Sequence, residues 1–180
     1  AKGGQMLPPY DSRETLERVA LAIRETGARR VIALGDNFHD DGGTARLDPH
    51  AAGMLAALTR AVEWIWIVGN HDPSLEKGVG GDVIEETVLS GLVLRHKAKR
   101  GETAPELSGH FHPRLMLVAR GRRIARPCVV ASERRMILPA FGALTGGMDA
   151  ASSEILTAMQ PAAAIDAILP AKGQLLQYPL

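Results

Sequence analysis

A chain of 180 residues with 46% apolar and 23% charged side chains and a net charge of +1 has the profile of one globular domain, residues 1–180. No apolar run approaches the ~18 residues that a membrane-spanning helix needs, and the opening residues do not read as a secretory signal, so no membrane role is expected. The single cysteine, Cys128, excludes an internal disulfide framework and fits a reducing, cytoplasmic setting; within the apolar run PCVVA it reads as a buried structural thiol.

In chain order, Asp11-Ser12-Arg13-Glu14 reads as a helix start with Asp11 as N-cap. Leu16, Val19, Ala20 and Ile23 continue it at helical spacing, and Gly27 is a natural stop. VIALGD (31–36) is a short apolar strand ending in glycine and a carboxylate. The polar loop DNFHDDGGTARLD leads into a second helix over Pro49–Ala61, and WIWIVGNHD (64–72) repeats the strand, glycine and polar cluster. This rhythm predicts an α/β domain with a partly parallel sheet, whose ligands bind beyond the carboxyl ends of the strands.

The second half turns to short β-like runs: LVLRH (92–96), ELSGHFH (106–112), RLMLVARG (114–121), PCVVAS (127–132) and RRMILPAF (134–141). GALTGG (142–147) is a tight connection; AAAIDAIL is expected to form a short helix and QLLQYPL a closing strand. No internal repeat or linker divides the chain. Residues 95–135 hold eleven Lys/Arg against three Asp/Glu. That surplus suits a phosphate backbone, while strand alternation would equally spread such charges over solvated faces.

Asp36, Asn70, His71, Asp72, His96, His110 and His112 all lie at or just past the end of an apolar run, and include four of the six histidines. If GHFH continues its strand in extended form, His110 and His112 share a face, roughly 7 Å apart at the backbone. Singly, each residue has an ordinary use as a turn former, cap or strand-edge histidine. Together they make a borderline-hard Asn/Asp/His donor set without thiolate, suited to Mn²⁺, Fe or Zn²⁺. Such a set also suits a two-metal hydrolytic centre, with ions roughly 3.5–4 Å apart.

GD (35–36), GNHD (69–72), His96 after a strand and GHFH (109–112) resemble the ordered signature of calcineurin-like metallophosphoesterases. LPPYDS, LGDNFHD, WIWIVGNHDP, SGHFHP, RPCVV and PAFGALTGG are similar to the DNA-ligase-associated branch, a likeness running from Leu7 to Gly147. The resemblance implies a sandwich of two mixed β-sheets flanked by helices, with two divalent metal ions at one edge. It implies Asp36 as the bridging carboxylate, Asn70, His96 and His110 on one metal, and His112 on the other. It further implies His71 at the substrate phosphate, assisting the leaving oxygen, and Asp72 orienting His71. His39 would position substrate or cap its own turn, and His50 is expected at the surface.

The family's first motif, an Asp-x-His after the first strand, lies upstream of everything present here. The domain is therefore expected to lack that first strand, and the chain to hold one metal or none. Asp48-Pro49-His50 has the letters of that motif but follows no apolar strand and reads as a helix start. The expected activity is metal-dependent phosphodiester hydrolysis, with two metals activating water. DNA would be the substrate, and a DNA ligase and other repair proteins the partners. A nucleotide or phosphomonoester phosphatase, or a non-catalytic module of a ligase assembly, are the other readings.

Overall fold

Leu16, Val19 and Ile23 lie at helical spacing in α1 (Asp11–Thr26), where they pack towards Trp64 and Trp66. The computed structural model describes residues 11–38, 47–70, 80–119, 121–142 and 145–180. The two tryptophans belong to β2 (Glu63–Ile67), which pairs in parallel with β1 (Arg30–Leu34) on one side and β3 (Asp82–Ile84) on the other. Helix α2 (Pro49–Ala61) completes this half by placing Leu55 and Leu58 on the same cluster.

The start of α2 settles the Asp48-Pro49-His50 triplet. Asp48 is the N-cap, its carboxylate accepting from the backbone N–H of His50 and Ala51 at 3.0 and 3.3 Å, with Pro49 in the first turn. The Arg13 guanidinium, 2.8 Å away, holds the Asp48 carboxyl down to about 2. His50 is exposed, as expected.

The larger sheet has seven strands in the order β12-β11-β9-β10-β6-β5-β4. They are β4 (Glu86–Leu89), β5 (Leu92–Arg95), β6 (Glu106–Ser108), β9 (Val129–Ala131), β10 (Arg135–Ile137), β11 (Asp166–Ala171) and β12 (Gln174–Pro179). Its β5–β6 and β6–β10 pairs are parallel and the rest antiparallel. Strands β7 (Arg114–Ala119) and β8 (Arg122–Pro127) form a separate two-stranded ribbon. Phe111, Cys128, Val130, Ile137, Ile155, Met159 and Ala167 make the core of this half, and burial pushes the Cys128 thiol up to about 11.

Several expectations change. The smaller sheet is wholly parallel rather than mixed among the described residues. AAAIDAIL is not a helix: Asp166–Ala171 is strand β11, pairing on both edges and burying alternate residues Ala167 and Leu169. Pairing and burial override the helical leaning of its alanines. The short helix comes earlier, α3 (Ser153–Ala158), capped by the Ser152 hydroxyl. Strands β3, β4 and β8 went unforeseen.

Buried charge ties the large sheet together. Arg95 reaches Glu86, Glu102 and Glu106 at 3.3, 3.3 and 3.1 Å, and burial pushes the Glu106 carboxyl up. Arg135, 2% exposed, donates to the carbonyls of Ala158 at 2.6 Å, Gln160 at 2.9 Å and Glu102. It thereby fastens the end of α3 to β10. Hydrogen bonds from a charged donor are worth about 1.5–3 kcal/mol each, and buried carbonyls lose them all at once. Arg135→Ala should therefore lower stability by at least ~3 kcal/mol in urea unfolding with an unchanged m-value. A loss within the ~0.5 kcal/mol typical of surface substitutions would contradict this role.

Candidate metal centre

Four strand ends meet between the two sheets. Asp36 lies two residues past β1 and Asn70 three past β2, both from the small sheet. His96 directly follows β5 and His110 lies two residues past β6, both from the large sheet. Because β1 runs parallel to β2 and β5 parallel to β6, all four contribute from carboxyl ends.

A hydrogen bond from His96 ties the two sheets together here. Buried His96 donates through Nδ1–H to the Leu34 carbonyl at 2.8 Å, linking the last residue of β1 to the first beyond β5. A carbonyl can only accept, so Nδ1 carries a proton, which leaves Nε2 as the nitrogen through which the ring could act as a ligand. That Nε2 lies 3.0 Å from His110 Nδ1 and 3.4 Å from Asp36 Oδ2. The Asn70 amide reaches His110 Nδ1 at 3.3 Å.

Burial first, then neighbouring His96, holds the His110 imidazole down to about 4, so the ring is uncharged near neutral pH. The ligand atoms of Asp36, His96 and His110 all lie within 4.8 Å of one another. A carboxylate, two imidazoles and an adjacent amide fit a divalent cation of the Mn²⁺, Fe or Zn²⁺ type.

The motif glycines are spacers for these ligands. A Cβ on Gly35, whose φ is +85°, would lie 2.4 Å from His96 Nδ1. One on Gly69 would lie 2.1 Å from the Asp36 backbone nitrogen and 2.3 Å from its Oδ1. Asp36, His110 and His112 themselves have φ of +49°, +66° and +48°, three of five non-glycine residues in that region among the described ones. Left-handed backbone at non-glycine residues costs about 1–3 kcal/mol each and gathers at functional sites.

The extended reading of GHFH does not hold. Strand β6 ends at Ser108, and the Phe111 N–H bonds to the Gly109 carbonyl at 2.8 Å, closing a three-residue turn about His110. Burial of Phe111 in the core anchors that turn. His110 is thus directed to Asp36 and His96, while His112 lines a cleft of about 200 Å³ with Arg18, Arg114 and Phe141. His112 is still close enough to act on His110 electrostatically.

Over 98% of its length the chain superimposes on 82% of the nuclease MPE of Pseudomonas putida, at 28% sequence identity and a TM-score of 0.71. The chain has the metallophosphoesterase fold. This likeness supports the calcineurin-like metallophosphoesterase superfamily. A Vps29 double mutant from Entamoeba histolytica matches across all of this chain and 93% of its own, at 12% identity and a TM-score of 0.37, too loosely to bear on the site. No protein-family model and no curated protein matches the chain.

On this metallophosphoesterase fold, Asp36, Asn70, His96 and His110 are brought together and His112 stands beside them at the cleft. His39, His71 and Asp72 lie outside the described residues. The Leu34 carbonyl and the cleft residues Arg18, Arg114 and Phe141 were missed by the sequence reading. A carbonyl leaves no trace in sequence, but Arg114 directly follows the HFHP run and could have been considered with it. Since Gly69 excludes any side chain beside Asp36, Gly69→Ala should weaken Mn²⁺ binding at least tenfold in calorimetric titration without removing a donor. Wild-type affinity in that variant would contradict the spacer role.

Proposed function

We propose that this chain is a metal-dependent phosphoesterase that cleaves phosphodiesters as a nuclease. The observation that carries the reading is the convergence of Asp36, His96 and His110 at strand ends, on a fold shared with a nuclease. Asp36, Asn70, His96 and His110 would hold one divalent cation, and Asp36 and His112 would contribute to a second, with Mn²⁺ favoured over Fe or Zn²⁺. When bound, such ions supply Lewis-acid stabilisation of phosphoryl oxygens and acidify a water.

The chain's own contributions follow from the site. The His96 hydrogen bond to Leu34 orients the ring with Nε2 aimed inwards, and the turn about His110 fixes the second imidazole. His71, next in sequence to Asn70, is assigned the proton at the leaving oxygen, with Asp72 orienting it. Arg18 and Arg114 in the cleft beside His112 suit the charge of a bound phosphate. The motif run similar to the DNA-ligase-associated branch supports DNA as the substrate, and a ligase with other repair proteins as partners in the cytoplasm.

Loss of one ligand should exceed the 10–100-fold cost usual for an outer hydrogen-bond partner. His110→Ala should thus lower Mn²⁺-dependent hydrolysis of bis-p-nitrophenyl phosphate by at least ~100-fold, with the fold retained by circular dichroism. Unchanged turnover in the variant, or none in the wild-type chain, would contradict the reading. A wild-type preference for p-nitrophenyl phosphate over the diester would move the assignment to a phosphomonoesterase.

A further inference from the structure

Residues 114–127, RLMLVARGRRIARP, contain five arginines and no acid. Arg114–Ala119 and Arg122–Pro127 of this run form the β7–β8 ribbon, which stands outside both larger sheets. Its pairing register sorts the side chains. Leu115, Leu117 and Ile124 share the inner face; Leu115 is buried and Leu117 packs on the main core. The outer face carries Met116 and Val118, 48% and 75% exposed, with Arg123 directly opposite Val118.

Arg122, Arg123 and Arg126 on β8 are exposed. Among the described residues, every ion pair lies elsewhere in the chain. At the ribbon's root the backbone of Arg114 pairs with that of Asp149, which anchors β7 there and leaves the three arginines of β8 towards solvent. By the same register Arg126 and Arg122 stand opposite Leu115 and Ala119 on the inner-face side and Arg123 on the outer face, so the exposed arginines flank β8 on both sides over roughly 13 Å of strand, about four nucleotide steps along one strand of a B-form duplex.

The ribbon is rigidly joined to the candidate metal centre. Arg114 follows His112 by two residues, and its N–H bonds to the Met148 carbonyl at 2.8 Å. The Cys128 N–H bonds to the Pro113 carbonyl at 3.1 Å, closing the other strand at the same level. The cleft at the root is lined by His112, Arg114, Pro127 and the half-exposed Phe141. Cationic and apolar surface therefore continues from the ribbon to the histidines.

We propose that the β7–β8 ribbon docks the sugar–phosphate backbone of a nucleic acid strand and leads it to the metal centre. The proposal rests on the phosphodiesterase reading and adds where the polymer is held. Charge complementarity selects the occupant: arginines take phosphates, and the exposed Met116 and Val118 suit sugar and base edges. A second copy of the chain would set like charges face to face.

The test uses the full chain with Arg122, Arg123 and Arg126 all changed to Ala, and a control with all three changed to Lys. Binding of a fluorescein-labelled single-stranded 20-mer is followed by anisotropy in EDTA from 50 to 200 mM NaCl, alongside Mn²⁺-dependent turnover of bis-p-nitrophenyl phosphate. The Ala variant should bind at least ~10-fold more weakly, and its log–log salt slope should flatten by about 2, near 0.7 for each lost contact. The Lys control should retain most of the slope. Turnover of the small diester, too short to reach the ribbon, should stay within about twofold.

Equal affinity and slope in wild type and Ala variant would overturn the docking surface, as would a wild type that does not bind the oligonucleotide. Polyglutamate bound as tightly as the oligonucleotide would reassign the surface to an acidic protein and likewise overturn it. A wild type that binds the oligonucleotide through these arginines but leaves the small diester intact would count against the hydrolase reading alone. Intact diester turnover with no ribbon effect would count against the ribbon alone.

Discussion

The hydrogen bond from His96 Nδ1–H to the Leu34 carbonyl, 2.8 Å long, is the constraint around which the site is arranged. It joins a parallel sheet built on tryptophans to a mixed sheet built on smaller aliphatics, at the level where both release their chains. The same bond places a proton on His96 Nδ1. Because Nδ1 faces a carbonyl, Nε2 is the nitrogen turned towards Asp36 and His110. One interaction between two sheets therefore sets both the spacing and the chemistry of the donor set.

What surrounds that bond removes alternatives to it. Gly35 leaves space for the His96 ring and Gly69 for the Asp36 carboxylate, at distances where a methyl group would collide. Left-handed backbone at Asp36 and His110 turns both chains inwards just beyond their strands. Beneath β5 and β6, the guanidinium of Arg95 sits among three carboxylates and that of Arg135 among three carbonyls. Those contacts hold in register the strands that lead to His96 and His110. Local strain at the ligands is thus balanced by over-determined packing below them.

Much of this was legible in the sequence because the ligands follow apolar runs, and apolar runs reveal strands. Asp36, Asn70, His96 and His110 could be placed at strand ends from that pattern alone, as could helix α2 with Asp48 at its start. The relation between His110 and His112 could not. Strand periodicity extends the run four residues past Ser108 to His112, whereas the turn closed by Phe111 and Gly109 ends it sooner. AAAIDAIL misled for the opposite reason, its alanines favouring a helix that pairing with β9 and β12 overrode. Two turn signals would have helped. Ser90-Gly91 and Lys172-Gly173, with positive φ at both residues, are two-residue hairpin loops that announce β4 and β11.

The three-sided arrangement of Asp36, His96 and His110 matters only if it receives a cation, and everything claimed for catalysis depends on that. Anomalous scattering at the manganese absorption edge, from crystals grown with Mn²⁺, tests it most directly. The account predicts a peak within bonding distance of the Asp36 carboxylate, His96 Nε2 and the His110 ring. Crystals saturated with Mn²⁺ that show no peak among these three residues, or a peak only elsewhere, would contradict it.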